Sequence, residues 1–133
     1  MARLGVELPE VPKPVAAYVP AVRTGPYVYT AGQLASHPET GVAVDARQDP
    51  AFPFYGSDIQ KQTRYILQNL RSVFEAAGCG LEHVVKSQVF LTELDDFHYF
   101  DQVWKEFFPS PPPRTTVLVP GCRVEIDLTA CKG

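Results

Sequence analysis

Little in this 133-residue chain points to a metal, a membrane or a charged polymer. No apolar run approaches the roughly 18 residues that a membrane-spanning helix needs. The opening segment Met1-Ala2-Arg3-Leu4-Gly5-Val6-Glu7-Leu8-Pro9 has no long apolar signal core. A soluble, cytoplasmic protein is the expectation. Its three cysteines, Cys79, Cys122 and Cys131, are odd in number and show no C-x-x-C spacing, which argues against a disulfide framework or a zinc site and for reduced, packing thiols. His37, His83 and His98 stand apart from one another in the sequence, so they suggest no metal centre. There is no G-x-S-x-G, P-loop, G-x-G-x-x-G or H-E-x-x-H. Ser72 and Ser87 have no base nearby in sequence. A net charge of −3, with the basic residues scattered, provides no electrostatic footprint for nucleic acid.

What is present is enough apolar material, 45% of residues against 20% charged, for a single domain spanning 1–133 with a real core. Tyr27-Val28-Tyr29-Thr30-Ala31, between Gly25-Pro26 and Gly32, reads as a short strand, and Val42-Ala43-Val44 as its return across a turn at His37–Gly41. The doubly kinked, aromatic segment Arg47–Gly56 predicts an ordered loop that packs on something. Ser57-Asp58-Ile59-Gln60 has the form of a capping box, and the stripe Ile66, Leu70, Val73, Ala77 continues it as a helix over 58–77, closed by Gly78. Residues 84–92 alternate as a strand, with Val85, Ser87, Val89 and Leu91 opposite Val84, Lys86, Gln88 and Phe90. Asp95 and Asp96 can cap a second helix with Phe97, Phe100, Trp104 and Phe107 on one face, stopped by Pro109. Strands near 114–119 and 123–131 follow, the last with Val124, Ile126, Leu128 and Ala130 on one side and Glu125, Asp127 and Thr129 on the other. The order is hairpin, helix, strand, helix, strand, strand. It predicts an α+β sandwich with two helices on one face of a mixed or antiparallel sheet.

The chemistry left to such a chain is arginine plus carboxylate. Arg114 follows the rigid run Pro111-Pro112-Pro113 and opens an apolar strand, where its five-donor fork is a good receptor for a carboxylate. A plainer use of Arg114 is an internal pair with Glu125 or Asp127. An anionic small molecule bound by the arginine, with a carboxylate or held water moving a proton, is the catalytic alternative.

Five separated blocks carry a family resemblance: Tyr29-Thr30-Ala31-Gly32-Gln33-Leu34; Gln62-Thr63-Arg64 with Leu67-Gln68-Asn69-Leu70 and Glu75-Ala76-Ala77-Gly78; Val84-Val85-Lys86-Ser87-Gln88-Val89-Phe90-Leu91; Asp95-Asp96-Phe97 with Phe107-Phe108; and Pro113-Arg114-Thr115-Thr116 with Val124-Glu125-Ile126-Asp127. In order and spacing, over about 18–130, the chain resembles the RidA/YjgF family. The resemblance implies a chorismate-mutase-like α+β subunit in a homotrimer, with sites in the clefts between subunits. It also implies cofactor-free hydrolysis of reactive enamines and imines to 2-oxo acids and ammonia. By position, Arg114 would grip the substrate carboxylate and Glu125 would orient the attacking water and pass protons. Gly32 would line the pocket through its backbone, with Tyr18, Ala31, Thr116 and Asp101 around the substrate.

Several of these positions depart from the family pattern. Ala31 stands in place of serine, Thr116 in place of cysteine and Asp101 in place of asparagine; Ala16-Ala17-Tyr18 replaces Gly-Pro-Tyr. Phe52-Pro53-Phe54-Tyr55 resembles an insertion, while the links 108–114 and 119–124 resemble shortened loops. Loops tune specificity more than fold. The insertion is expected near a pocket rim, and the negative charge of Asp101 is expected to favour an apolar or amino-bearing tail over a second carboxylate. An aminomuconate-type deaminase, a non-enzymatic trimeric module that binds small carboxylates or serves a regulatory role, and a ribonuclease are the other readings. The acidic balance disfavours the last.

Overall fold

The computed structural model describes residues 17–36, 56–121 and 123–132. The expected return strand Val42–Val44, the turn before it and the aromatic loop up to Tyr55 lie outside them. Strands β1 (Ala21–Thr24), β2 (Tyr27–Thr30) and β3 (Gln33–Leu34) precede helix α1 (Asp58–Ala76). Then come β4 (Val84–Leu91), α2 (Phe97–Phe107), β5 (Arg114–Leu118) and β6 (Val124–Cys131). The six strands form one sheet in the order β1-β2-β6-β4-β5, with β3 joined to β6 beyond the end of β2. All pairings are antiparallel except β4 with β5, which makes the sheet mixed.

The hairpin before α1 is formed by β1 and β2, with Ala21 opposite Thr30. Ala21-Val22-Arg23-Thr24 is too short and too mixed in polarity to announce itself as a strand. Gly25 (φ 56°) supplies the left-handed residue of its turn.

Helix α1 begins and ends as its caps dictate. The Ser57 amide donates to Gln60 Oε1 at 3.2 Å, one arm of the expected capping box. At the other end Gly78 (φ 84°) allows the Cys79 amide to reach back to the Phe74 carbonyl at 2.9 Å and its own amide to reach Glu75 at 3.0 Å. This six-to-one and five-to-two pattern satisfies carbonyls that a helix end leaves open. Arg23 and Lys132 bond two carbonyls just past the helix end, Ala77 and Gly78, at 2.6 and 2.9 Å.

Both helices pack on one face of the sheet. Ile66, Leu67, Leu70 and Phe74 of α1 and Phe100, Val103 and Trp104 of α2 close over Val28, Val89, Leu91, Ile126 and Leu128. At about 25 cal/mol per Å² of apolar area, this burial is the main force holding the layers together. β6 alternates as expected, with its even-numbered residues buried and its odd-numbered residues half-buried on the opposite face.

Three expectations about side chains change. Between Val84 and Lys86 the β4–β6 ladder is bulged, so Val84 turns inward opposite Ala130 and Val85 is pushed outward. Phe97 is not a core residue but 39% exposed at the start of α2. Asp96 is the residue before α2, yet its carboxylate makes no cap bond and instead grips Arg123 through both oxygens, at 2.9 and 3.0 Å. A fork to a cation outcompetes a single backbone amide.

Candidate functional site

Arg114 opens β5 because its neighbours pin the chain there. Ser87, buried in β4, holds the Pro113 carbonyl with both its amide (3.0 Å) and its hydroxyl (2.7 Å). That bond also settles the role of Ser87, whose hydroxyl serves the backbone. Arg114 aligns with Ser87 and Thr116 with Val89, so both lie on the helix-covered face. There Arg114 Nη1 donates to Asp101 Oδ1 of α2 at 2.8 Å, and its Cζ lies 5.4, 5.4 and 5.2 Å from the ring centres of Phe97, Phe100 and Trp104. Lys105, one turn further along α2, approaches the other Asp101 oxygen at 3.4 Å. Burial works to raise the Asp101 pKa, but the hydrogen bond and charge of Arg114, joined by Lys105, outweigh it and hold the carboxyl below its ordinary value. Asp101 is therefore an anion at neutral pH.

The internal pair expected for Arg114, with Glu125 or Asp127, does not form: its partner is Asp101. Glu125 aligns with Phe90 and Asp127 with Gln88, on the face the helices leave bare. Alternation along β4 puts Ser87 and Phe90 on opposite faces, and Arg114 and Glu125 with them. The sequence pattern of β6 located the polar row correctly, but only the alignment of β5 with β4 reveals that the arginine faces the other way.

Gly32 and Glu125 do come together. After Thr30 the chain leaves β6, with the Thr30 hydroxyl accepting from the Leu128 amide at 3.0 Å, and it rejoins at Gln33 opposite Ile126. Gly32 occupies the gap. A Cβ there would collide with Glu125 Oε1 and lie 2.8 Å from its Cδ, so the absent side chain is what makes room for this carboxylate. The Ala31 amide bonds the Pro20 carbonyl at 2.8 Å, which ties the chain just after β2 to the residue before β1. Tyr18 is 44% exposed.

Burial, and then the charge of Asp127, push the Glu125 pKa above its usual range. Asp127 is also raised by burial, with Lys86 opposing. A carboxyl whose pKa is raised keeps its proton to higher pH than usual, which suits a group that must both take and give one. The Thr116 hydroxyl is buried and has no hydrogen-bond partner among the described residues, which leaves it available to hold a ligand atom.

Among the described residues, Cys79 and His83 do not join this constellation. A cavity of about 570 Å³ lies at the C-terminal ends of both helices, lined by Arg71, Cys79, His83 and Phe107 among others, and none of the sequence-derived site residues lines it. Cys79 there is buried and its thiol is raised by burial, so it is a poor nucleophile. Among the described residues no cluster of His, Cys, Asp or Glu suits a metal ion, and no helix is long and apolar enough to cross a membrane.

Fold and site together define a two-layer α+β protein whose candidate binding arginine and candidate proton carrier are divided between the two faces of one sheet. The Endoribonuclease L-PSP family description matches residues 9–132, and the chain belongs to this RidA/YjgF/RutC family. A RutC family protein of Pyrococcus abyssi is 34% identical over 120 residues, covering 90% of this chain and 86% of its own. TdcF of Escherichia coli, whose name marks it as a suspected reactive intermediate deaminase, is 34% identical over 103 residues, 77% of this chain and 70% of its own. Among solved structures, E. coli TdcF with bound serine superposes with a TM-score of 0.78 at 29% identity, covering 96% of this chain and 98% of its own. RidA from an Antarctic Psychrobacter gives 0.77 at 31%, covering 96% and 98%.

Proposed function

We propose that the protein hydrolyses reactive enamines and imines of 2-amino acids to 2-oxo acids and ammonia, without a cofactor, in clefts between copies of the chain. The observation that carries this reading is the division of Arg114 and Glu125 between opposite faces of the sheet. One subunit cannot bring both to one small substrate, but Arg114 lies on an edge strand that a neighbour's bare face can approach. Exposed Tyr27, Tyr29 and Val117 on that bare face, and Leu118 on the edge strand, favour such an assembly, and the family resemblance favours a trimer with a chorismate-mutase-like subunit.

In the proposed site Arg114 holds the substrate carboxylate, which fixes the imine carbon beside a water. Glu125 takes a proton from that water as its oxygen bonds to the imine carbon, the C=N electron pair goes to nitrogen, and Glu125 passes the same proton to that nitrogen to give a neutral carbinolamine. The carbinolamine then collapses. Glu125 takes the hydroxyl proton of the carbinolamine and gives it to the nitrogen as the C=O bond forms and the C–N bond breaks, so that ammonia and a 2-oxo acid leave. An imine is electrophilic enough that positioning and one proton shuttle suffice. Gly32 keeps the carboxylate close, and the Thr116 hydroxyl or carbonyl helps hold the water.

The second reading is a non-enzymatic trimer that binds small carboxylates, and the resident Asp101 on Arg114 is the feature that favours it. Turnover separates the two. With an imine generated in situ by an amino-acid oxidase, the protein should accelerate ammonia release well beyond the spontaneous rate. Binding of oxo acids with no such acceleration would establish the module instead.

A further inference from the structure

The Arg114 cluster contains two cations and one anion. Asp101 uses Oδ1 for Arg114 at 2.8 Å and Oδ2 for Lys105 at 3.4 Å, so it bridges strand β5 and the next turn of α2. Its neighbours do not add to this count. Glu106 is held by Arg64 at 2.7 Å on the α1 side, and Asp96 by Arg123 at 2.9 Å. His98 contacts Gln102 at 3.2 Å.

The geometry restrains Arg114 as well as neutralising it. Three aromatic rings lie within 5.4 Å of its Cζ, and Nη1 is committed to Asp101. Nε and Nη2 form the other edge of the fork, wide enough for one carboxylate. The Arg114 side chain is 17% exposed and that of Asp101 is 25% exposed, so their charges are only partly screened; Lys105, at 74%, is an exposed counter-charge at the rim.

We propose that Asp101, with Lys105 as its counter-charge, is the specificity-determining residue of this site: the Arg114 cluster is held at one net positive charge, so that it accepts one carboxylate and discriminates against dicarboxylates. This rests on Arg114 being the carboxylate receptor of the proposed function. Asp101 repels a second carboxylate through space and occupies the arginine nitrogen that could receive it. When the substrate carboxylate takes a share of Arg114, Lys105 keeps Asp101 paired, so the resident anion need not leave or protonate. Like-charge juxtaposition is an efficient means of rejecting wrong ligands.

The test is calorimetric titration of the intact protein with 2-oxopentanoate and 2-oxoglutarate, which share a carbon skeleton and differ in one terminal group. The wild type should bind the monocarboxylate at least about fivefold more tightly. Asp101→Asn, which keeps a hydrogen-bonding oxygen but drops the charge, should tighten 2-oxoglutarate preferentially and bring the two within about twofold. Asp101→Glu should restore the discrimination, which separates charge from mere packing. Lys105→Gln should weaken both ligands by about two- to threefold, the modest effect of an exposed charge. An unchanged ratio in Asp101→Asn, with binding that still depends on Arg114, would overturn this inference and leave the functional reading standing. If the wild type bound neither oxo acid, or Arg114→Ala bound both as well as the wild type does, the functional reading would fail and the inference with it.

Discussion

Arg114 and Glu125 stand on opposite faces of the same sheet: Arg114 aligns with Ser87 under the helices, and Glu125 aligns with Phe90 on the bare side. Any chemistry that needs both therefore needs a second copy of the chain. The arginine is also not idle in the single subunit, since it pairs with Asp101 and covers three rings.

Replacing Arg114 separates these two roles. Arg114→Ala should lower kcat/KM for imine hydrolysis by at least about a hundredfold, because the carboxylate loses both charge and orientation. Arg114→Lys should lose at least about tenfold, since an ammonium cannot form the fork. Stability in urea should fall by only about 1–2 kcal/mol in Arg114→Ala, the scale of a partly buried ion pair with cation–π contacts. Near-normal kinetics with a collapse in stability would assign Arg114 to structure alone.

Gly32→Ala places a methyl group against the Glu125 carboxylate. The glutamate can swing away because its end is flexible, so the fold should survive with a melting temperature within a few degrees of wild type. Its proton transfer should not survive, and kcat should fall by roughly ten- to a hundredfold. Equal losses of stability and activity would indicate that Gly32 matters only to the chain path.

The pH dependence follows from Glu125 and Asp127. Burial and then Asp127 raise the Glu125 pKa, so the acidic limb of kcat/KM should lie above the ordinary glutamate range. Asp127→Asn should move that limb to lower pH without returning it fully, because burial remains. A carboxyl with a raised folded pKa binds its proton more tightly in the folded state. Its ionisation therefore costs stability, fully above the folded pKa and not at all below the unfolded one. Asp127 is itself raised. Asp127→Asn should accordingly be more stable than wild type at pH 8, and the advantage should vanish as pH falls through the carboxylate range. An acidic limb that does not move, with no such crossover in urea melts, would remove Asp127 from the account.

Helix α1, strand β4 and the in–out alternation of β6 were legible in the sequence because each is long and periodic enough to repeat its signal. β1 and β3 were not, being four and two residues of mixed polarity whose pairing depends on β2 and β6 already being in place. The bulge at Val85 was hidden because both Val84 and Val85 are apolar, so the alternation does not show which one turns inward. The site divided in the same way. Arg114, Glu125 and Gly32 were singled out by the family resemblance, and the closeness of Gly32 to Glu125 is seen in the structure. The Asp101–Arg114 contact joins a helix to an edge strand, and the face Arg114 takes depends on its parallel register with Ser87, which no local pattern encodes. The Arg123 clamp on Asp96 was missed for the same reason.

Assembly has a simple check. Light scattering with size exclusion should give about three times the 14.7 kDa chain mass at micromolar concentration. A stable monomer that still turns over imines would place the whole site within one subunit, against the face alignment.

The most direct measurement is complementation between two inactive variants. Arg114→Ala and Glu125→Gln are each purified, shown to be inactive alone, then co-expressed or refolded together in equal amounts. If every site takes its arginine from one subunit and its glutamate from the next, random mixing leaves about a quarter of sites with both native residues, and about a quarter of wild-type activity should return. Mixed assemblies with no recovered activity would contradict a site shared between the two faces of neighbouring chains.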